Sequence, residues 1–214
     1  MSALEALQAT TMLLSEAPPG ESVDTIFFHA RAWGDEDGLF PLAAEIFHAK
    51  NAATISINGG KGGPAGNTII GEDWPGCSAY AAMLRILGVK SIRFTRPAIH
   101  SKEENNAFLE LAIEQQWRSG IILGQPHQVL RALMGMIVSM YDHTYWMRVY
   151  AVAPKNTDWQ KLVYAPHTSI LIPRFERIKD ELDRIPIYQA KGHLCSYSEL
   201  FWYLEERSTI RSSV

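Results

Sequence analysis

Cysteine is scarce in this chain: Cys77 and Cys195 are the only two among 214 residues. They lie far apart and match no metal-ligand spacing, which argues against a disulfide framework and suits a reducing cytoplasm. An excess of one charge is also missing. Twenty Lys and Arg against 23 Asp and Glu leave a formal net charge of −3. The basic residues are scattered, so no broad field attracts nucleic acid or an anionic membrane. No stretch approaches the ~18 apolar residues that span a bilayer, and residues 1–15 lack the basic start and apolar run of a signal peptide. The expectation is a soluble cytoplasmic protein that binds a small molecule and has no dealings with nucleic acid or membrane.

Several motifs are missing too. No Gly-Lys is followed by Ser or Thr as in a Walker A loop, and no Gly-x-Gly-x-x-Gly follows the first apolar run. P-loop ATP hydrolysis and the usual NAD binding therefore lose support. No His-x-x-x-His or Cys-x-x-Cys occurs, so isolated His48, His143, His167 and His193 read as surface or capped residues, and no metal site is expected.

What is present is an alternation of two periodicities in a chain that is 47% hydrophobic. Residues 4–14 follow helical spacing, and Pro18-Pro19-Gly20 is expected to stop that helix. Thr25-Ile-Phe-Phe28 is β-branched and aromatic, as in a buried strand. Leu39, Leu42, Ala43, Ile46 and Phe47 then form one helical stripe. Three more such steps follow: 54–57 then 78–87, 91–94 then 102–116, and 119–123 then 127–140. A fifth strand is expected at 146–152, and helices at 173–184 and 198–207 would cover an edge or form one wall of a site. Right-handed crossovers return each strand parallel to the last, so the fold class is α/β, a Rossmann-like, doubly wound, mainly parallel five-stranded sheet with flanking helices and a C-terminal helical extension. The chain divides into an N-terminal helix (1–20), the α/β core (21–155) and the extension (156–214).

Three apolar runs end in polar residues able to hold an anion: Ile55-Ser-Ile-Asn-Gly-Gly-Lys61, Ile99-His-Ser-Lys-Glu-Glu-Asn105 and Ile121-Ile-Leu-Gly-Gln-Pro-His127. Loops at the carboxyl ends of parallel strands converge on one crevice, so these segments are expected to meet around one ligand. Residues 58–76 hold seven glycines and two prolines, a long irregular stretch that is either ligand-contacting or a surface loop. Within it Asn58, Gly59, Gly60 and Lys61 have the makings of an anion-binding nest, with backbone N–H groups turned inward and a lysine adding charge.

Ser101-Lys-Glu-Glu104 has capping-box spacing, so Glu104 is either a helix cap or a site carboxylate, with Asn105 beside it. Pro126 fits a first helical turn. It would place His127 and Gln128 at the positive end of a helix, with Arg131 one turn later on the same face as His127. The dipole would keep His127 neutral for general-base work, and Arg131 would clamp an oxyanion. His29 and Arg31 end the first strand, and alternation points both to one side as ligand contacts. Cys77 stands at a helix start but has no histidine partner by local spacing, which favours a packed or exposed thiol. The tryptophans and tyrosines of the second half read chiefly as core.

Taken together, the chain resembles the SanA, ElyC and YdcF family of α/β proteins over residues 24–140. The likeness rests on Asp24-Thr-Ile-Phe-Phe, Ile55-Ser-Ile-Asn-Gly-Gly60, Leu87-Gly-Val89, Glu104-Asn105 and Pro126-His-Gln-x-x-Arg-Ala132. It implies a Rossmann-like sheet with the glycine loop, the Glu-Asn pair and the histidine-arginine helix at one cleft. Glu104 and Asn105 match the family's pair, and Arg131 its arginine. Ile99 and Lys102 stand where the family has serine and threonine, Gly76 where it has glutamate, and Gln128 where it has histidine. In layout the chain is similar to YdcF-like members, for which the resemblance implies S-adenosylmethionine binding. The leading expectation is an enzyme, a hydrolase or transferase, acting on a phosphorylated or nucleotide-like small molecule, with Glu104, His127 and Arg131 catalytic. The alternatives are a non-catalytic S-adenosylmethionine- or nucleotide-binding module, or a specialised biosynthetic enzyme on the same fold.

Overall fold

Strand β1 (Val23–Phe28) lies in the middle of the main sheet of the computed structural model, which describes residues 3–16 and 20–210. It pairs in parallel with β2 (Ala52–Ile57) on one side and β4 (Ser119–Leu123) on the other. Beyond them lie β3 (Ile92–Phe94) and β5 (Arg148–Val152), giving the all-parallel order β3-β2-β1-β4-β5. The chain winds outward from β1 to β3, then returns to the far side of β1 to build β4 and β5. Their shared border is thus the topological switch point, where the loops diverge and leave a crevice at the strands' carboxyl ends.

Side-chain alternation divides the sheet between two cores. Ile26, Phe28, Ile55, Ile57, Ile121 and Leu123 pack against helices α2 (Leu39–His48) and α3 (Cys77–Ile86). Phe27, Ile122, Val149 and Ala151 face the opposite layer, which holds α1 (Ala3–Ser15), α4 (Ser101–Glu114), α5 (Val129–Asp142) and α7 (Tyr197–Glu206). The fold is therefore doubly wound and Rossmann-like. Asp24 pins the amino end of the switch point: its Oδ2 accepts from the amides of Arg118 and Ser119 at 2.7 and 2.8 Å and from Ser119 Oγ at 3.0 Å. No helix among the described residues is long and apolar enough to cross a membrane.

Three local readings differ from expectation. Helix α5 begins at Val129, because Gln128 and Val129 both donate to the Gln125 carbonyl and close a turn there. Helix α6 (Glu176–Ala190) runs through Pro186 to finish beyond the predicted residue 184. An antiparallel pair, β6 (Leu162–Tyr164) and β7 (Leu171–Pro173), fills the connection before it and went unpredicted. The expected helix stop at Pro18-Pro19 lies outside the described residues.

Candidate functional site

The crevice holds a hollow of about 390 Å³, bordered by residues from the loops that follow β1, β2, β3 and β4 and by α4, α5 and α6. That size is in the range of pockets for small molecules. At its floor sits Glu104, in the first turn of α4 and only 4% exposed. The capping role belongs to neighbours: His100 Nδ1 accepts from the Glu103 amide, and Glu103 Oε2 accepts from the Ile99 amide. Glu104 is released to turn inward. Its Oε1 accepts from the Ala30 amide at 3.0 Å and from Asn58 Nδ2 at 3.1 Å, while Oε2 lies 3.2 Å from His29 Nδ1.

Burial pushes the Glu104 carboxyl up, but the His29 hydrogen bond, the Arg31 charge and the Ala30 amide outweigh it and hold the group below its ordinary value. His29 is buried against Phe27, and desolvation lowers its pKa despite the carboxylate. The pair therefore stands as a carboxylate accepting from a neutral imidazole's Nδ1–H. Asn58 fixes the carboxylate in place. Its Nδ2 also donates to the Ala98 carbonyl at 2.8 Å, and its Oδ1 accepts from the amides of Gly60 and Ala98. One amide side chain thereby ties the exits of β2 and β3 to Glu104, which itself holds the exit of β1.

The walls are cationic. Arg31, Lys102, Arg131, Arg177, Arg184 and Lys191 border the hollow, against four carboxylates. The local balance is positive although the chain carries −3. Most of these charges are partly matched. Glu181 pairs with the Arg131 guanidinium through Nε, and with Arg177 at 3.4 Å and Arg184 at 3.7 Å. Burial raises the Glu181 carboxyl, but the three arginines overcome this and bring it down to about 2.

Arg31 differs. It is 5% exposed, its Nε donates to the His29 carbonyl at 3.3 Å, and among the described residues no carboxylate lies within the 4.0 Å of an ion pair. Two amides bordering the hollow are also incompletely served: Asn105 Oδ1 and Gln128 Oε1 are buried without a partner among the described residues.

Of the residues expected at the site, Arg31, Asn58, Glu104, Asn105, Gln128 and Arg131 border one hollow, and His29 holds Glu104 from behind. The other four, Gly59, Gly60, Lys61 and His127, do not border it either. The glycine loop is spent on packing: Gly60 N donates to Asn58 Oδ1, Gly63 N donates to the Trp74 carbonyl, and the Gly60 carbonyl accepts from the Cys77 amide. A Cβ on Gly59 would stand 2.2 Å from the Thr95 carbonyl oxygen, so glycine there permits a close backbone crossing. Gly59, Gly60 and Lys61 are outside the lining, and Lys61 points to solvent.

His127 is the other correction. Because α5 starts after it, its side chain does not share a face with Arg131. It is fully buried, with Nε2 3.4 Å from Asp35 Oδ2 and its ring edge-on to Trp159. Asp35 in turn takes Arg174 Nε at 3.0 Å, and Gln125 Nε2 donates to the carbonyls of Asp35 and Asp37. This network joins the loop after β1 to the β6–β7 hairpin.

Sequence reasoning allowed the helix at 173–184 as one wall of a site but named none of its residues. Arg177, Glu181, Arg184, Tyr188 and Lys191 all border the hollow, and their spacing keeps them on one helical face. A polar stripe at that period was the available signal.

The arrangement offers an ionised carboxylate at the floor, a guanidinium with no carboxylate at ion-pair distance among the described residues, a shared arginine cluster and two amides with unmet bonding capacity. No protein-family model matches the chain, and none of the curated proteins matches it.

Proposed function

We propose that the hollow binds a phosphorylated or nucleotide-like small molecule and acts on it by hydrolysis or group transfer. The observation that carries this reading is Arg31, a cation withdrawn from water with no carboxylate at pairing distance among the described residues. A buried charge is costly unless it is matched, and an arriving phosphate would match it bidentately. Arg131, Arg177 and Arg184 would share further oxygens, giving the positioned positive charge that lowers barriers at phosphorus. Glu104 would take a proton from the attacking water or alcohol as the new O–P bond forms, and return it to the leaving oxygen as the ester O–P bond breaks. His29, in contact with Glu104, would fill the imidazole place expected of His127.

The same reading supports kinship with the SanA, ElyC and YdcF family, since Glu104, Asn105 and Arg131 border one hollow. Two free cysteines fit a cytoplasmic setting.

One observation favours a second reading, a binding module for a nucleotide or S-adenosylmethionine. Both Glu104 oxygens already accept bonds from the protein, as in a carboxylate kept for architecture. Incubation of the protein with a panel of phosphate esters, with and without Mg²⁺, separates the two. Turnover that disappears in Glu104→Gln while calorimetric binding persists supports the enzyme. Micromolar binding with no product over long incubation supports the module, and absence of binding to any phosphate overturns both.

A further inference from the structure

Asn105 and Gln128 are primary amides, 1% and 4% exposed, on two different helix starts that meet at the hollow. Among the described residues neither side chain makes a hydrogen bond, and the oxygen of each is buried without a donor. Buried amides without partners are uncommon, because each unmet bond costs about 1–3 kcal/mol. The fold also makes room for one of them. Gly135 sits inside α5, where glycine weakens a helix, and a Cβ there would stand 2.8 Å from Asn105 Nδ2. A helix-weakening residue thus keeps space beside an amide that bonds to nothing among the described residues.

We propose, resting on the anion-binding reading above, that the ligand is a phosphorylated sugar or polyol whose hydroxyl groups are read by Asn105 and Gln128. An alcohol oxygen both donates and accepts one hydrogen bond, so it complements a primary amide whichever way the amide is turned. The oxygens of a fully ionised phosphate ester only accept, and cannot serve an amide oxygen. An alkyl chain serves neither half. With the phosphate against Arg31, the carbon skeleton would cross the space between α4 and α5 with its hydroxyls toward the two amides. A site built to bond hydroxyls discriminates against an analogue that lacks them, because its own buried groups are then left unserved.

Calorimetry on the full chain tests this with inorganic phosphate, hexyl phosphate, glycerol 3-phosphate, ribose 5-phosphate and glucose 6-phosphate. The expected result is that the best polyol phosphate binds at least roughly tenfold more tightly than hexyl phosphate, the size of one good hydrogen bond. Gln128→Met and Asn105→Leu should each shrink that ratio. The wild-type ratio alone decides the matter if a variant fails to fold. Equal affinity for hexyl phosphate and every polyol phosphate overturns the hydroxyl assignment while leaving the anion site standing. Failure of all five, inorganic phosphate included, overturns the anion site itself and this inference with it.

Discussion

His29 Nδ1 and Glu104 Oε2 stand 3.2 Å apart with both side chains withdrawn from solvent, fastening the exit of β1 to the first turn of α4. Three donors converge on this one carboxylate, from His29, Ala30 and Asn58. A glutamine can accept from one side only and presents an N–H₂ to a donor on the other. Glu104→Gln should therefore lose about 2 to 3 kcal/mol of stability, as expected when bonds to a buried charge are broken. At roughly 2–4 °C per kcal/mol for a chain of this size, the melting temperature should fall by about 5 to 10 °C. An unchanged midpoint in calorimetric melting would mean that the three donors are not held by a charge.

The alternation of strands and helices was legible because buried β-branched runs and helical stripes are local properties. Thr25-Ile-Phe-Phe28 and the stripe from Leu39 to Phe47 both became the elements they resemble. Glu104 was legible only as a choice between cap and site, and its outcome depended on His100 and Glu103 taking the cap. His127 was misplaced because a turn closing on the Gln125 carbonyl moved the helix start by two residues, which swings a side chain to another face. The β6–β7 hairpin has three-residue strands, too short to display a period.

The glycine loop gives a contrast between two neighbours. Gly59→Ala drives a methyl group into the Thr95 backbone carbonyl, which no side-chain rotation relieves. It should cost upward of about 2 kcal/mol. Lys61 is exposed and outside the hollow, so Lys61→Ala should stay within about 0.5 kcal/mol of the parent. Its phosphate affinity should also be unchanged. Urea unfolding and phosphate titration of both variants check this. Loss of phosphate binding in Lys61→Ala would return the loop to the role of an anion nest.

Acid should weaken the α6 wall within a defined window. The Glu181 carboxyl is lowered from 4.5 to about 2 in the folded protein. A depressed carboxyl stabilises the fold above its unfolded pKa and loses that contribution as pH falls toward the folded value. The contribution is on the order of 3 kcal/mol at neutral pH, and it should drain away between about pH 5 and pH 2. Glu181→Gln cannot titrate there. Urea midpoints should place the variant well below the parent at pH 7, with the gap narrowing steadily below pH 5. A gap independent of pH would show that charge at Glu181 does not hold Arg131, Arg177 and Arg184 together.

Arg31 should separate stability from binding. Burial draws its guanidinium below the ordinary value, with Glu104 and Asp35 acting in the opposite direction, and no carboxylate among the described residues reaches pairing distance. Methionine keeps much of the side chain's bulk and removes a buried charge that no carboxylate among the described residues pairs at ion-pair distance. Replacing buried charge with apolar volume is often neutral or stabilising, so ligand-free Arg31→Met should unfold at the same urea concentration as the parent or a higher one. The single bond lost, from Nε to the His29 carbonyl, is worth about 1 kcal/mol and sets the margin. Phosphate-ester binding should meanwhile weaken by at least tenfold, because no neighbouring carboxylate is freed to compensate. The opposite pattern, a fold weakened by several kcal/mol with binding intact, would make Arg31 a clasp for the loop after β1 and leave the hollow without its anion anchor.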